Sequence, residues 1–108
     1  MRANKPIITE EGISLLLTLN TAAMRVFLWV SLNFEYNRDF VLLRREKMCD
    51  ECGIGRAASY KAVSELEKSG VLRKYVRGVY WVNPGFIWRT GPGNKATCGW
   101  FTNEQNTL

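Results

Sequence analysis

The stretch RREKMCDECGIGRAASYKAVSELEKSG, residues 44–70, decides the fold. Its centre, Gly53-Ile54-Gly55, is a tight turn between two segments with helical patterning, Arg45 to Cys52 and Arg56 to Ser69. Gly70 then stands where a left-handed residue closes a helix. In the second segment Ala58, Ala62, Val63 and Leu66 share one face with Ile54 at its entry, while Arg56, Ala57, Tyr60, Lys61, Ser64 and Lys68 point elsewhere. Two helices joined by a short turn containing glycine are the signature of a helix-turn-helix.

Downstream, Val71 to Val76 and Val79 to Val82 are rich in β-branched and aromatic residues and are separated by Arg77-Gly78, the pattern of a two-residue hairpin. Asn83-Pro84 ends the second strand, because proline cannot donate to a ladder. Gly85 to Arg89 reads as either an edge strand or a turn. Upstream, Thr21 to Asn33 has an apolar face through Ala23, Phe27 and Val30, broadened by Val26 and Trp29 into a helix buried on much of its circumference, with Asn20 or Thr21 as its cap. Asn33 to Asp39 breaks the pattern, and Phe40 to Leu43 reads as a short strand. Glu10 to Leu19 fits either period and is read as a helix. The order is helix, short strand, helix, turn, helix, hairpin: a mainly α fold with a small β-hairpin, the winged helix-turn-helix. The expected organisation is a flexible leader over residues 1–12, the winged-helix domain over 13–90, and a tail over 91–108 packed on the domain or on a dimer partner.

The chain has 108 residues, 46% of them hydrophobic and four of them Trp, enough for a real core in one domain. It has no His, which removes the commonest general base and metal ligand and every catalytic or zinc arrangement that needs one. The expectation is a protein that is not an enzyme and carries no cofactor. The net charge is +5, and eleven of the fifteen basic residues but only five of the ten acidic ones lie between Arg44 and Lys95. Such asymmetry points to an anionic partner.

The helix-turn-helix says where that partner would lie. In this geometry the second helix enters the DNA major groove and residues near its N-terminus meet base edges. Here these are Gly55, Arg56, Ala57, Tyr60 and Lys61. Arg56 suits a bidentate contact to guanine, Tyr60 and Lys61 reach bases or phosphates, and Gly55 admits the DNA backbone closely beside free helix N–H groups. Arg44, Arg45 and Lys47 open the first helix of the motif, which crosses the phosphate backbone. Arg73, Lys74, Tyr75 and Arg77 lie on or near the hairpin tip, placed for phosphate contact, with Arg77 suited to minor-groove insertion. The competing structural readings are solvated charges on the helices, packing of Tyr60 against the hairpin, and strand-edge cations that discourage aggregation. Tyr80, Trp81, Phe86, Trp88, Trp100 and Phe101 are the residues suited to stacking on single-stranded bases, although core packing, a dimer surface or contacts to the tail account for them more simply.

Cys49 and Cys52 have the C-x-x-C spacing of a redox pair or half a zinc site, but with Cys98 the count is three and no His completes a metal set. Reduced, packed thiols in a cytoplasmic protein are the default. Arg2 and Lys5 before Ile13 to Leu19 loosely imitate a signal peptide, yet Glu10 and Glu11 abut the apolar run. A membrane span reaching Leu32 would bury Arg25, so neither segment nor membrane partner is expected.

The pattern Gly53-Ile54-x-x-x-Ala58-x-Tyr60-Lys61-Ala62-Val63-x-x-Leu66-x-x-x-Gly70-Val71-Leu72, followed by Gly78-Val79-Tyr80-x-Val82-Asn83-Pro84, resembles winged-helix plasmid replication proteins of the RepL type. The resemblance spans about residues 20–90. It departs at Gly55, where a capping Ser is usual, at Ser59, where an apolar residue is usual, and from Gly91 onward. It implies DNA binding in plasmid or phage replication control, or as a transcriptional regulator. The expected partners are double-stranded DNA and a second copy of the chain, the latter through the Trp29 helix or Trp100-Phe101. The alternative is a winged-helix module that binds a protein through its aromatic hairpin and tail.

Overall fold

The computed structural model describes residues 6–34 and 40–89. Their order is β1 (Pro6–Ile8), α1 (Glu10–Leu16), α2 (Thr21–Asn33), β2 (Phe40–Leu42), α3 (Arg45–Cys52), α4 (Arg56–Lys68), β3 (Leu72–Val76), β4 (Val79–Val82) and β5 (Ile87–Arg89). Three helices, α2, α3 and α4, pack with an antiparallel sheet of order β2-β4-β3. This is a winged helix. The turn expected at Asn33 to Asp39 lies outside the described residues beyond Phe34, as do residues 1–5, the loop from Thr90 and the 91–108 tail.

Helix α2 is the centre. The side chain of Asn20 caps it by accepting from the Ala23 N–H at 2.9 Å. Val26, Phe27 and Val30 are fully buried and Trp29 nearly so, which is the wide apolar face its sequence carries. Met48 of α3, Ala62, Val63 and Leu66 of α4, and Val41, Leu72, Val82 and Ile87 of the strands complete the same core. The helix-turn-helix needs its glycines: Gly53 caps α3 in the left-handed region at φ 68°, and Gly70 follows α4 at φ 87°. Gly78, at φ 79°, makes the hairpin turn between β3 and β4.

The 1–12 leader is corrected from residue 6 onward. Strand β1 pairs antiparallel with β5, Ile7 opposite Trp88 and Ile8 opposite Ile87. Immediately after it Thr9 caps α1: its Oγ1 accepts from the Gly12 N–H at 3.0 Å and donates to the Gly85 carbonyl at 2.6 Å. The same residue's N–H donates to the Phe86 carbonyl at 3.1 Å. Both partners lie more than seventy residues away in the chain, so no local pattern signals them. The pairing also settles Gly85 to Arg89, whose last three residues are strand.

Gly12 seals this junction. A Cβ on it would lie 2.5 Å from the Phe86 carbonyl oxygen and 2.8 Å from the Ile8 side chain. Because one obstacle is backbone, Gly12→Ala is expected to force the β1–α1 corner off the core at a cost of about 1–3 kcal/mol. Thermal unfolding followed by circular dichroism checks this. An unchanged melting temperature would mean that residues 6–12 contribute nothing to the fold.

Candidate nucleic-acid interface

Helix α4 has a buried side, Ser59, Ala62, Val63 and Leu66, set against α2 and β3. Its other side begins with Arg56 and Ala57 and continues through Tyr60 and Lys61, all four exposed. The helix starts at Gly55, whose extended backbone (φ −78°, ψ 169°) offers no side-chain cap to the first-turn N–H groups. A Cβ on Gly55 would meet nothing within 4 Å, so the fold of the chain alone does not require glycine there. The space in front of the α4 N-terminus is open.

Arg44, Arg45 and Lys47 divide by environment. Arg44, at the N-cap of α3, and Lys47 are exposed. Arg45 is half-buried: its guanidinium lies 3.9 Å from the centre of the Tyr60 ring, and its Nη1 donates to Ser59 Oγ at 3.4 Å. The Ser59 hydroxyl in turn donates to the Arg56 carbonyl at 2.6 Å. This explains how a hydroxyl occupies a fully buried position that usually holds an apolar residue. Arg45 therefore acts on α4 directly, with its guanidinium over the Tyr60 ring. Burial pushes the Tyr80 phenol up, Glu67 adds to the rise, and the Arg45 charge opposes it.

A groove of about 490 Å³ runs between α3 and the start of α4, with Arg45 and Arg56 on its walls together with Glu46 and Asp50. The two carboxylates dilute the positive potential at this point. Arg73, Lys74 and Arg77 sit on a separate element. Arg73 is half-buried opposite Trp81, Lys74 is exposed opposite Tyr80, and Arg77 is exposed at the turn. The structure thus joins Arg45 to Tyr60 through one contact, places Gly55, Arg56, Ala57 and Lys61 beside them on α4, and leaves the hairpin cations as a second group. The buried Ser59 bridge escaped sequence reasoning. Its only signal is a serine three residues after Arg56, the spacing at which a hydroxyl bonds back to a helix carbonyl.

The family model for the Firmicute plasmid replication protein (RepL) matches residues 5–99. The chain belongs to the RepL family. Plasmid replication is accordingly its setting, and the family's span includes both the helix-turn-helix and the hairpin. Comparison with curated proteins finds no match, and comparison with solved structures finds none. Among the described residues of this RepL-family chain, no helix is long and apolar enough to cross a membrane.

Cys49 and Cys52 are free thiols with different partners: Cys49 Sγ donates to the Gly55 carbonyl at 3.8 Å and Cys52 Sγ to the Arg25 carbonyl at 3.7 Å. No group of three or more Cys, Asp or Glu side chains among the described residues is placed to hold a metal ion. Burial, then the neighbouring Cys49 and Glu51, pushes the Cys52 thiol up, and Arg25 offsets this in part. A raised thiol pKa keeps the proton in the folded state, so this contribution to stability is fully present below the unfolded thiol's range and is lost as pH rises through the folded value. Alkylation at about pH 8, just below the ordinary thiol range, is expected to modify Cys49 well ahead of Cys52, read by peptide mass spectrometry. Equal rates would make Cys52 an accessible, reactive thiol.

The stack of Arg45 on Tyr60 yields a second expectation. A cation over an aromatic ring that is itself exposed contributes about 0.5–1 kcal/mol, so Arg45→Ala is expected to lower stability only slightly. What it removes is the support of the Tyr60 ring. NMR relaxation of the Tyr60 ring, in protein isotope-labelled at tyrosine, is expected to show a freer ring in Arg45→Ala. Unchanged relaxation would show that the stack does not hold Tyr60.

Proposed function

We propose that this RepL-family chain is a sequence-specific double-stranded DNA-binding protein of plasmid replication, with α4 in the major groove and the β3–β4 hairpin as a wing on the backbone or minor groove. The observation that carries this reading is the exposed side of α4, where Arg56, Ala57, Tyr60 and Lys61 stand in front of an uncapped, glycine-led helix start. Thirteen helical residues give a rod about 20 Å long, and the major groove, about 12 Å wide, admits a helix. Arg56 reads a guanine edge, Ala57 and the Tyr60 ring offer apolar contact to a thymine methyl group, and Lys61 reaches phosphate or a base. Gly55 keeps the first-turn N–H groups open to a phosphate. Arg44 and Lys47 contact the backbone from α3 with their free charges, whereas Arg45 contributes through the ring it supports. Lys74 and Arg77, with Arg73 behind them, bring the wing to the sugar-phosphate chain.

The chain acts by binding, in the cytoplasm, without a cofactor. A second copy would pair two half-sites on a palindromic origin, since recognition of this kind is commonly dimeric. Leu28, Trp29 and Leu32 of α2 line a groove of about 320 Å³ that a second copy would fill.

Titration of labelled duplexes from the plasmid that encodes the chain tests this reading. One fragment is expected to bind tighter than random duplex by about a thousandfold or more, with affinity falling steeply as salt rises. Replacing Arg56 and Lys61 together with Ala is expected to cost about tenfold to several hundredfold on that fragment. Absence of salt-dependent binding by the wild-type chain, or an unchanged affinity in the double variant, would overturn the reading. A partner protein that co-purifies in stoichiometric amount after nuclease treatment would favour the interaction-module alternative.

A further inference from the structure

The three-stranded sheet has two unlike faces. Val41, Leu72, Tyr80 and Val82 turn into the core and are buried. The opposite face carries an aromatic cluster. Phe40 of β2 and Trp81 of β4 are in register and meet edge to face, ring centres 5.7 Å apart. Tyr75 of β3 leans on the other side of Trp81, ring centres 4.9 Å apart and planes at 47°.

An irregularity in the ladder places Tyr75. The β3–β4 register shifts between Lys74 and Val76, which leaves Tyr75 as the extra residue of a bulge, and bulges re-aim side chains. The Tyr75 ring stays 54% exposed although it touches Trp81. Leu42, 45% exposed, and Val76, 50% exposed, extend the apolar surface. A folded chain has no internal use for so much exposed aromatic and aliphatic surface on one short sheet.

Charge narrows what fits there. Lys74 and Arg77 are exposed on the same hairpin, and none of the three strands supplies an acidic side chain. An aromatic surface with a cationic edge is complementary to a polyanion whose own flat rings are free to stack. Duplex DNA does not meet that description, because its base faces are covered by their neighbours. Single-stranded DNA does: cations follow the phosphates while aromatic rings take the bases, with little regard for sequence. We propose that the Phe40, Tyr75 and Trp81 face of the wing sheet is a stacking platform for single-stranded DNA, distinct from the α4 surface that reads duplex. Membership of a plasmid replication family supplies the occasion, since copying a duplex exposes unpaired strands.

The two surfaces give separate readouts. Fluorescence anisotropy of the full chain is measured with a labelled oligo-dT of about 12 nucleotides, within the site size usual for such platforms, and in parallel with the plasmid duplex fragment. Tyr75→Phe keeps the ring, Tyr75→Ser removes it, and circular dichroism verifies that each variant folds. Wild type and Tyr75→Phe are expected to bind oligo-dT alike, and Tyr75→Ser to lose about tenfold or more, the order expected for one lost stacking partner. Replacing Arg56 and Lys61 of α4 together with Ala is expected to leave oligo-dT affinity unchanged. The proposal is overturned if wild type does not bind oligo-dT, if Tyr75→Ser binds it as wild type does, or if Tyr75→Phe is as weak as Tyr75→Ser. It is overturned equally if sedimentation shows a dimer that Tyr75→Ser converts to monomer with no effect on oligo-dT, which would make the face a contact between copies. Failure of the duplex arm alone would remove the reading of α4 and leave the platform standing.

Discussion

Burial of the Trp29 indole is the constraint on which the helix-turn-helix depends. Tryptophan brings a large apolar surface and one N–H that must find a partner once water is excluded. In this chain the partner is Glu51, whose Oε1 accepts the indole proton at 2.7 Å from the end of α3. One turn earlier on α2, Arg25 Nη1 donates to the Cys52 carbonyl at 2.9 Å, one of the carbonyls that a helix leaves unsatisfied at its C-terminus. A guanidinium at that end also complements the helix dipole. Two polar contacts therefore fix the C-terminus of α3 to α2, one residue before the left-handed turn at Gly53 that sets the direction of α4. The orientation of α4 is inherited from α2 rather than made by α4 itself.

The distribution of that control explains what was visible in the sequence. Helices α3 and α4 show their limits because local chemistry sets them: Gly53 and Gly70 need positive φ, and the apolar residues of α4 recur at helical spacing. The hairpin is equally local. Strand β1 is different, since three residues beside a basic segment acquire strand geometry only by pairing with β5 at the far end of the domain. The site divides in the same way. Exposure of Arg56, Ala57, Tyr60 and Lys61 follows from helical periodicity, whereas the seat of Arg45 over Tyr60 needs the crossing of two helices, which no single-segment pattern contains. Tyr75 is the hardest case, because strict strand alternation does not anticipate the bulge that makes it the extra residue of β3.

The Asn83-Pro84 pair, part of the resemblance to the RepL family, is a joint of the fold rather than part of the α4 surface. The Asn83 side chain donates to the Gly70 carbonyl at 2.8 Å and accepts from the Gly85 N–H at 2.8 Å. Its backbone N–H donates to the Val71 carbonyl, and its carbonyl accepts from Phe86 and Ile87. One residue thus joins the end of α4, the wing and the turn into β5. Pro84, fully buried, follows where no donor is needed. A short polar side chain with both donor and acceptor is the only kind that makes this joint. Such a residue marks the fold, and the residues proposed to meet DNA lie elsewhere on α4.

This separation changes how the positive charge should be counted. Eleven cations between Arg44 and Lys95 suggest a broad electrostatic footprint, but Arg45 and Arg73 have partners within the protein. Arg45 lies over a ring, and Glu46 and Asp50 share the groove beside Arg56. The side chains of that segment left exposed among the described residues, Arg44, Lys47, Arg56, Lys61 and Lys68 on the helices and Lys74 and Arg77 on the wing, form two groups on different elements. Solvent-exposed charges are screened over about 10 Å at ordinary salt, so each group acts mainly on what it touches. Contacts that are local and few hold a duplex weakly until base edges are also engaged. Under the proposed reading, phosphate contacts from these groups would position the chain without selecting a sequence, and discrimination would rest on the base edges met by α4.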